Sequence, residues 1–159
     1  MLQIRDLTPA DWPAVEAIYA AGIATGDATF ETEPPPWQEF DTARLPDHRL
    51  VAVEEGEVVG WAALSRTSSR ACYEGVVEHS VYVAERAQSR GIGRALMEAL
   101  LASAEAAGIW TIQTSIFPEN IASLLAPARR IPRGRPARAD RTAERRMARH
   151  APPRAQALI

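Results

Sequence analysis

The sequence predicts an α/β fold: a mixed, mostly antiparallel sheet flanked by helices and interrupted by one parallel strand–helix–strand step. Three observations carry that prediction. Short apolar runs bounded by turn residues recur through the first half of the chain, which is the pattern of strands. Glu55-Gly56-Glu57 joins two of these runs as a hairpin turn. Val81 to Leu101 (VYVAERAQSRGIGRALMEALL) passes from a strand end through a glycine turn into helical periodicity. There Ile92, Leu96, Ala99 and Leu100 recur on one face. A further strand follows Gly108, and two strands joined through a helix are usually parallel.

Taken in order, Leu2-Gln3-Ile4-Arg5 alternates as a first strand. Thr8-Pro9-Ala10-Asp11 is a helix start, with Thr8 as N-cap, Pro9 at the first position and Asp11 in the first turn. Trp12, Val15, Ile18 and Tyr19 line one face of that helix and suit core packing. Thr25 to Trp37 reads as a loop stiffened by Pro34-Pro35-Pro36, either a bland linker or a substrate-facing lid. Arg49 to Val53 and Val58 to Leu64 form the hairpin strands, with Gly60 marking a bulge or a close backbone approach. Tyr73 to Val83 reads as a long strand leading into the glycine turn. Gly108 closes the next helix, and Trp110 to Ile116 is the returning strand.

Composition narrows the class. The 159 residues suit one domain with a sizeable core. No apolar run approaches the roughly 18 residues of a membrane span. Met1-Leu2-Gln3-Ile4-Arg5-Asp6 lacks the basic and apolar regions of a secretory leader. The single cysteine, Cys72, excludes an internal disulfide, fits a reducing cytoplasm and is a weak candidate nucleophile. All 18 basic residues are arginine. Up to Ala128, 8 arginines face 18 acidic residues, while Arg129 to Ile159 holds 10 arginines against Asp140 and Glu144. The chain therefore changes character near residue 125.

The glycine turn carries the chemistry. Two glycines at the mouth of a helix let backbone approach a ligand without a Cβ in the way. The first amides of a helix have no internal acceptor and point outward as anion donors. No Gly-Lys-Ser/Thr follows, so this is not a Walker loop, and the third glycine of a dinucleotide fingerprint is missing.

Gln88-Ser89-Arg90-Gly91-Ile92-Gly93 resembles the coenzyme A pyrophosphate loop of the GNAT N-acetyltransferases, Gln/Arg-x-x-Gly-x-Gly/Ala. The run Arg70 to Val83 (RACYEGVVEHSVYV) is similar to the phosphinothricin acetyltransferase branch. So are Ala28-Thr29-Phe30-Glu31-Thr32 and Ser115 to Ser123 (SIFPENIAS), so that the likeness covers residues 1 to about 124. Val76 departs from the threonine usual there. The resemblance implies the acyl-CoA N-acyltransferase fold, with the parallel step splayed at the cofactor site. It also implies acetyl-CoA as donor, and as acceptor the amino group of a small amino-acid analogue such as phosphinothricin, methionine sulfoximine or methionine sulfone.

An ammonium must lose a proton before its lone pair can attack a thioester. Glu78 is the expected general base, acting through water. His79 points to the opposite strand face and ranks below it. Backbone amides of Val81 and Val83, with Tyr82 between them, are expected along the thioester and pantetheine arm. Ser89, Arg90, Gly91, Ile92, Gly93 and Arg94 are expected at the pyrophosphate, with the two arginines adding charge. By resemblance, Asn120 contacts the cofactor near its thiol, and Phe30, Glu31 and Tyr73 line the substrate pocket. No metal is expected. The partner is a small amine rather than nucleic acid or membrane, and the resemblance implies a cytoplasmic homodimer. Acetylation of a protein N-terminus, a catalytically impaired acyl-CoA binder and nucleic-acid binding through the arginine-rich tail are the alternatives.

After Leu124 the pattern stops. The family's last helix and strands give way to an Arg/Pro/Ala-rich tail over residues 125–159, with Pro127, Pro132, Pro136, Pro152 and Pro153 breaking regular structure. Such a chain would leave a sheet edge exposed. Shifting the reading by one base turns Met147-Ala148 (ATG-GCN) into a tryptophan codon. Asp140 to Arg149 then permits Ile-Gly-Arg-Leu-Asn-Gly-Val-Trp-Arg-Asp, which resembles the family's missing Gly-x-Trp-x-Asp end. A frameshift just after Ser123 is the expectation. Sequencing the locus is expected to find the displaced frame, and one intact frame through this region would refute it.

Overall fold

The computed structural model describes residues 1–26, 29, 31–70 and 73–115, and 156–158 as backbone. Strand β1 (Leu2–Asp6) leads through a single 3-10 turn, Pro9–Asp11, into helix α1 (Trp12–Ala24). Helix α2 (Trp37–Ala43) precedes the hairpin of β2 (Arg44–Glu54) and β3 (Glu57–Arg66). Strand β4 (Val76–Val83), helix α3 (Ile92–Ala106) and strand β5 (Thr111–Ser115) form the crossover, and β6 (Gln156–Leu158) is the last element. The sheet order is β1-β2-β3-β4-β5-β6, antiparallel throughout except for β4–β5. The mixed sheet with one parallel step is the expected architecture.

The elements differ from the sequence reading in four places. Helix α2 occupies Trp37–Ala43, where the loop was expected to run into the next strand. Strand β2 starts at Arg44, before Pro46, because a register irregularity between Arg44 and Arg49 absorbs the proline. Tyr73–Gly75 is a turn rather than strand. It is packed so that a Cβ on Gly75 would lie 2.2 Å from the Trp110 ring. The β5 edge, expected to be bare, pairs with β6 through Gln113↔Leu158, Thr114↔Ala157 and Ser115↔Gln156. That strand lies beyond the last proline.

Other local expectations hold with added detail. Glu55 and Gly56 both take positive φ, 54° and 86°, which is the two-residue hairpin turn matched to strand twist. Gly60 marks both features expected of it: the register slips between Ala52↔Gly60 and Val53↔Val58, and a Cβ there would sit 3.0 Å from the Tyr82 carbonyl oxygen. Gly108, at φ 75°, ends α3, with the Ile109 amide donating to the Ala104 carbonyl at 3.0 Å.

Strand alternation divides the core between two faces. On one, Ala52, Ala62, Leu64, Val77 and Ile112 pack under Leu96 and Leu100 of α3. On the other, Val51, Trp61 and Ala63 pack under Val15, Ile18 and Tyr19 of α1 and Phe40 of α2. The entry to α1 is clasped by Asp11. Its carboxylate accepts the Thr8 amide and hydroxyl, each at 2.8 Å, and both Arg5 nitrogens, at 2.7 and 2.8 Å. The clasp ties β1 to the helix start, and the Arg5 bond above all holds the Asp11 carboxyl well below the usual carboxylate range.

A carboxyl depressed in the folded state adds stability above its unfolded pKa and loses it as pH falls. Asp11→Ala is expected to cost about 1.5–3 kcal/mol at neutral pH, the worth of charge-assisted hydrogen bonds. Denaturant titrations should show the difference from wild type shrinking from about pH 4 downward. A gap that stays constant into acid would disprove the clasp's contribution.

Candidate functional site

The site forms where β4 parts from β5. Among the described residues their pairing covers Val76↔Thr111, Val77↔Ile112 and Glu78↔Gln113, while β4 continues to Val83 along β3. Backbone parity then decides which groups are free. The Ala84 amide donates to the Val59 carbonyl at 2.9 Å. Alternation back along β4 therefore turns the amide of Tyr82 toward β3 and those of Val81 and Val83 toward the parted edge.

At the far end of β4 the chain crosses to α3 through Ser89 (φ 60°) and Gly91 (φ 81°), two left-handed residues at the helix mouth. Gly91 is required by its backbone conformation. Gly93 is not, and a Cβ there would meet Val83 Cγ2 at an ordinary 3.5 Å. Protein packing does not demand a glycine at 93, which fits a position approached by a ligand. The first-turn amides of α3 face the same region with no intrahelical acceptor. Parted amides plus a glycine-opened helix mouth fit an extended acyl donor ending in a pyrophosphate. The two loop arginines are engaged elsewhere, Arg90 with Glu54 at 2.7 Å and Arg94 with Glu98 at 3.0 Å.

The α1 face carries the rest. Glu78 and Tyr82 share this face through alternation, and Glu78 is half-buried. Tyr82 stacks on Trp61, centroids 4.7 Å apart and planes at 15°, and meets Tyr19 at 4.8 Å. The Tyr19 hydroxyl donates to the Glu31 carboxylate at 2.5 Å. Burial first, and then that bond, pushes the Tyr19 phenol well above its ordinary value, and burial raises Tyr82 as well. Both phenols stay protonated at neutral pH, as donors.

Of the predicted residues, Glu78, Val81, Tyr82 and Val83 lie on one strand, Ser89 to Arg94 lie at its exit, and Glu31 reaches the same aromatic group. Tyr73 is half-buried in the turn before β4. Phe30, Asn120 and Cys72 lie outside the described residues. His79 is on the α3 face, where burial lowers it to about 4 and neither ring nitrogen has a partner among the described residues. Sequence reading did not pick out Tyr19, Trp61 or Arg44. Tyr19 was visible as part of an apolar helix face but reads there as core.

The acetyltransferase (GNAT) family profile matches residues 3–125. Phosphinothricin N-acetyltransferase of Alcaligenes faecalis is 37% identical over 114 residues, and that of Streptomyces viridochromogenes 40% over 115. These matches take in 67% and 70% of this chain but 56% and 63% of the two relatives, so the chain spans less than two thirds of their length. The L-methionine sulfoximine/L-methionine sulfone acetyltransferase of Pseudomonas aeruginosa is 31% identical over 129 residues, 76% of this chain and 74% of that protein. A solved GNAT superfamily phosphinothricin acetyltransferase from Sinorhizobium meliloti, in complex with AcCoA, superposes with a TM-score of 0.70 at 30% identity. It covers 77% of this chain and 70% of its own.

The position of Tyr82 depends on a gap in α1. A Cβ on Gly22 would lie 2.5 Å from Tyr82 Cδ1 and 2.7 Å from Cε1. Gly22→Ala would gain about 1 kcal/mol of helix propensity. Against that stands an overpacking cost of about 1–3 kcal/mol, since Tyr19 and Trp61 hold the ring. Thermal melting should show a lower Tm for Gly22→Ala, and an unchanged or higher Tm would mean that the ring has room to move.

Proposed function

Since the chain belongs to the acetyltransferase (GNAT) family, we propose that it transfers acetyl from acetyl-CoA to the amino group of a small amino-acid analogue, with Glu78 as general base. The observation that carries this reading is the parting of β4 from β5 directly after Glu78. It leaves a carboxylate on one face of β4 beside two edge amides with no strand partner among the described residues.

Acetyl-CoA, when bound, supplies a thioester carbonyl open to attack by an amine. The Val81 amide would donate to that carbonyl, and Val83, with Tyr82 between them, would continue the contact along the pantetheine arm. The amides of Ser89, Arg90, Gly91, Ile92, Gly93 and Arg94 would take the pyrophosphate. Asn120 would stand near the thiol. On the α1 face Glu78 would remove a proton from the acceptor ammonium through water, while Phe30, Glu31 and Tyr73 shape the pocket. The relatives named for phosphinothricin and for methionine sulfoximine or sulfone support an acceptor of that type. No helix among the described residues is long and apolar enough to cross a membrane. The same reading makes the protein a cytoplasmic homodimer.

A second reading is an acetyl-CoA-binding protein with impaired turnover. It is favoured by the family match ending at residue 125 of 159, where the arginine-rich tail begins. The frameshift just after Ser123 would account for that tail.

Acetyl-CoA turnover is to be measured with phosphinothricin, methionine sulfoximine and methionine sulfone, on this chain and on a frame-restored version. Activity is expected with at least one acceptor, and Glu78→Gln should lower kcat by roughly 10²–10⁴-fold with acetyl-CoA affinity unchanged. Activity in the restored chain alone would select the second reading. Full activity in Glu78→Gln would remove Glu78 as base, and inactivity of both chains would overturn the acceptor assignment.

A further inference from the structure

The strand register builds a polar row across the α1 face. Arg44 of β2 pairs with Ser65 of β3, Ser65 with Glu78 of β4, and Glu78 with Gln113 of β5. Directly paired residues project from the same side of a sheet, so these four side chains stand in line. The next row inward has Arg49 of β2, held by Asp41, beside Ala63, and Ala63 opposite Ser80, so it is small only on β3 and β4. Beyond it lies the Trp61–Tyr82 stack. Tyr19, bonded to Glu31, packs on that stack, so the rows run from polar side chains to an aromatic end.

Arg44 is the unexplained member of that row. Arg5, Arg49, Arg86, Arg90 and Arg94 each bond a carboxylate, and Arg66 and Arg70 are exposed. Arg44 is partly buried, its guanidinium 5.5 Å from the Phe40 ring centroid, and its Nε is buried with no hydrogen-bond partner among the described residues. Trp61 Nε1 is a second buried donor on this face without an acceptor among them. Guanidinium and indole nitrogens only donate, so what would satisfy them is an acceptor, and for Arg44 an anion. The Arg44 charge also acts on the Tyr19 and Tyr82 phenols, opposing the rise that burial gives them.

We propose that Arg44 is a specificity-determining residue that binds the carboxylate or other acidic group of the acceptor, opposite the amine presented to Glu78. The inference rests on the acetyltransferase reading and adds the substrate's charge pattern to it. Two strand spacings separate Arg44 from Glu78, about 10 Å between backbones, so side chains reaching inward from each can hold the two ends of a small amino acid. A planar guanidinium suits a carboxylate through paired hydrogen bonds. Neutral and cationic amines would leave it unsatisfied, and the site would discriminate against them.

The test compares wild type, Arg44→Gln and Arg44→Lys with methionine sulfone and with its methyl ester, which keeps the amine and removes the carboxylate charge. Arg44→Gln is expected to raise KM for methionine sulfone roughly 10- to 100-fold, the loss of a charge-assisted contact. Its kcat, its KM for acetyl-CoA and its KM for the ester should stay within about twofold of wild type. Arg44→Lys, which keeps the charge and the cover over Phe40, should fall between and serves if Arg44→Gln does not fold. An equal KM for acid and ester in wild type, or an unchanged KM in both variants, would overturn the role of Arg44 and leave the acetyltransferase reading intact. If wild type turns over no acceptor, calorimetric titration with methionine sulfone decides separately. Binding to wild type that is lost in Arg44→Gln keeps the anion site, whereas no binding, or equal binding, removes it.

Discussion

The constraint on which the site depends is the partial pairing of β4. Among the described residues this strand is held along its length by β3 but by β5 only as far as Glu78. The register of β5 is set at its start, where the amides of Trp110 and Thr111 both donate to the Gly75 carbonyl, at 3.2 and 3.1 Å. Trp110 lies over Gly75 so closely that no side chain fits there. Helix α3 then packs across both strands through Leu96, Leu100 and Ala104 against Val77 and Ile112. A clamp at one end and a helix across the middle let the strands diverge at the other end without unravelling. Among the described residues, the divergence leaves without a strand partner donors that a fully paired sheet would have consumed.

The two faces of the sheet serve this arrangement differently. The α3 face is an apolar core, and His79 within it is kept neutral at physiological pH by burial. The α1 face grades from the aromatic group of Tyr19, Trp61 and Tyr82 through a row of Arg49, Ala63 and Ser80 to the polar row of Arg44, Ser65, Glu78 and Gln113. A low-dielectric floor next to charged side chains strengthens their interactions with anything bound between them. Strand alternation keeps the roles apart, because Glu78, Ser80 and Tyr82 project to the α1 face while the Val81 and Val83 amides face the edge.

Much of this was legible in sequence where one local rule decided the outcome. The apolar spacing of Ile92, Leu96 and Leu100 and the glycine at 108 located α3, and Glu55-Gly56 located the hairpin. Helix α2 was hidden because it has seven residues, follows three prolines and has Pro36 at its N-cap in place of a polar side chain. The turn at Tyr73–Gly75 was read as strand because what ends the strand is the Trp110 ring, thirty-five positions along the chain. Glu78 and the glycine turn were readable as motifs. The row that puts Arg44 in line with Glu78 was not, because it depends on the registers of two strand pairs and a one-residue bulge changes every pairing beyond it.

The sixth strand bears on how the chain is made. Strand β5 is fixed to β4 on one side by three residue pairs, and on the other it meets β6, the last described segment in the sequence. During synthesis from the N-terminus the first five strands and α3 can assemble while the partner of Gln113–Ser115 is still unmade. Throughout that interval a nascent chain carries an unpaired backbone edge, and a chaperone or a neighbouring polypeptide can occupy it before residues 156–158 arrive. Elongation speed over the arginine-rich stretch therefore sets how long the growing protein is exposed to that competition.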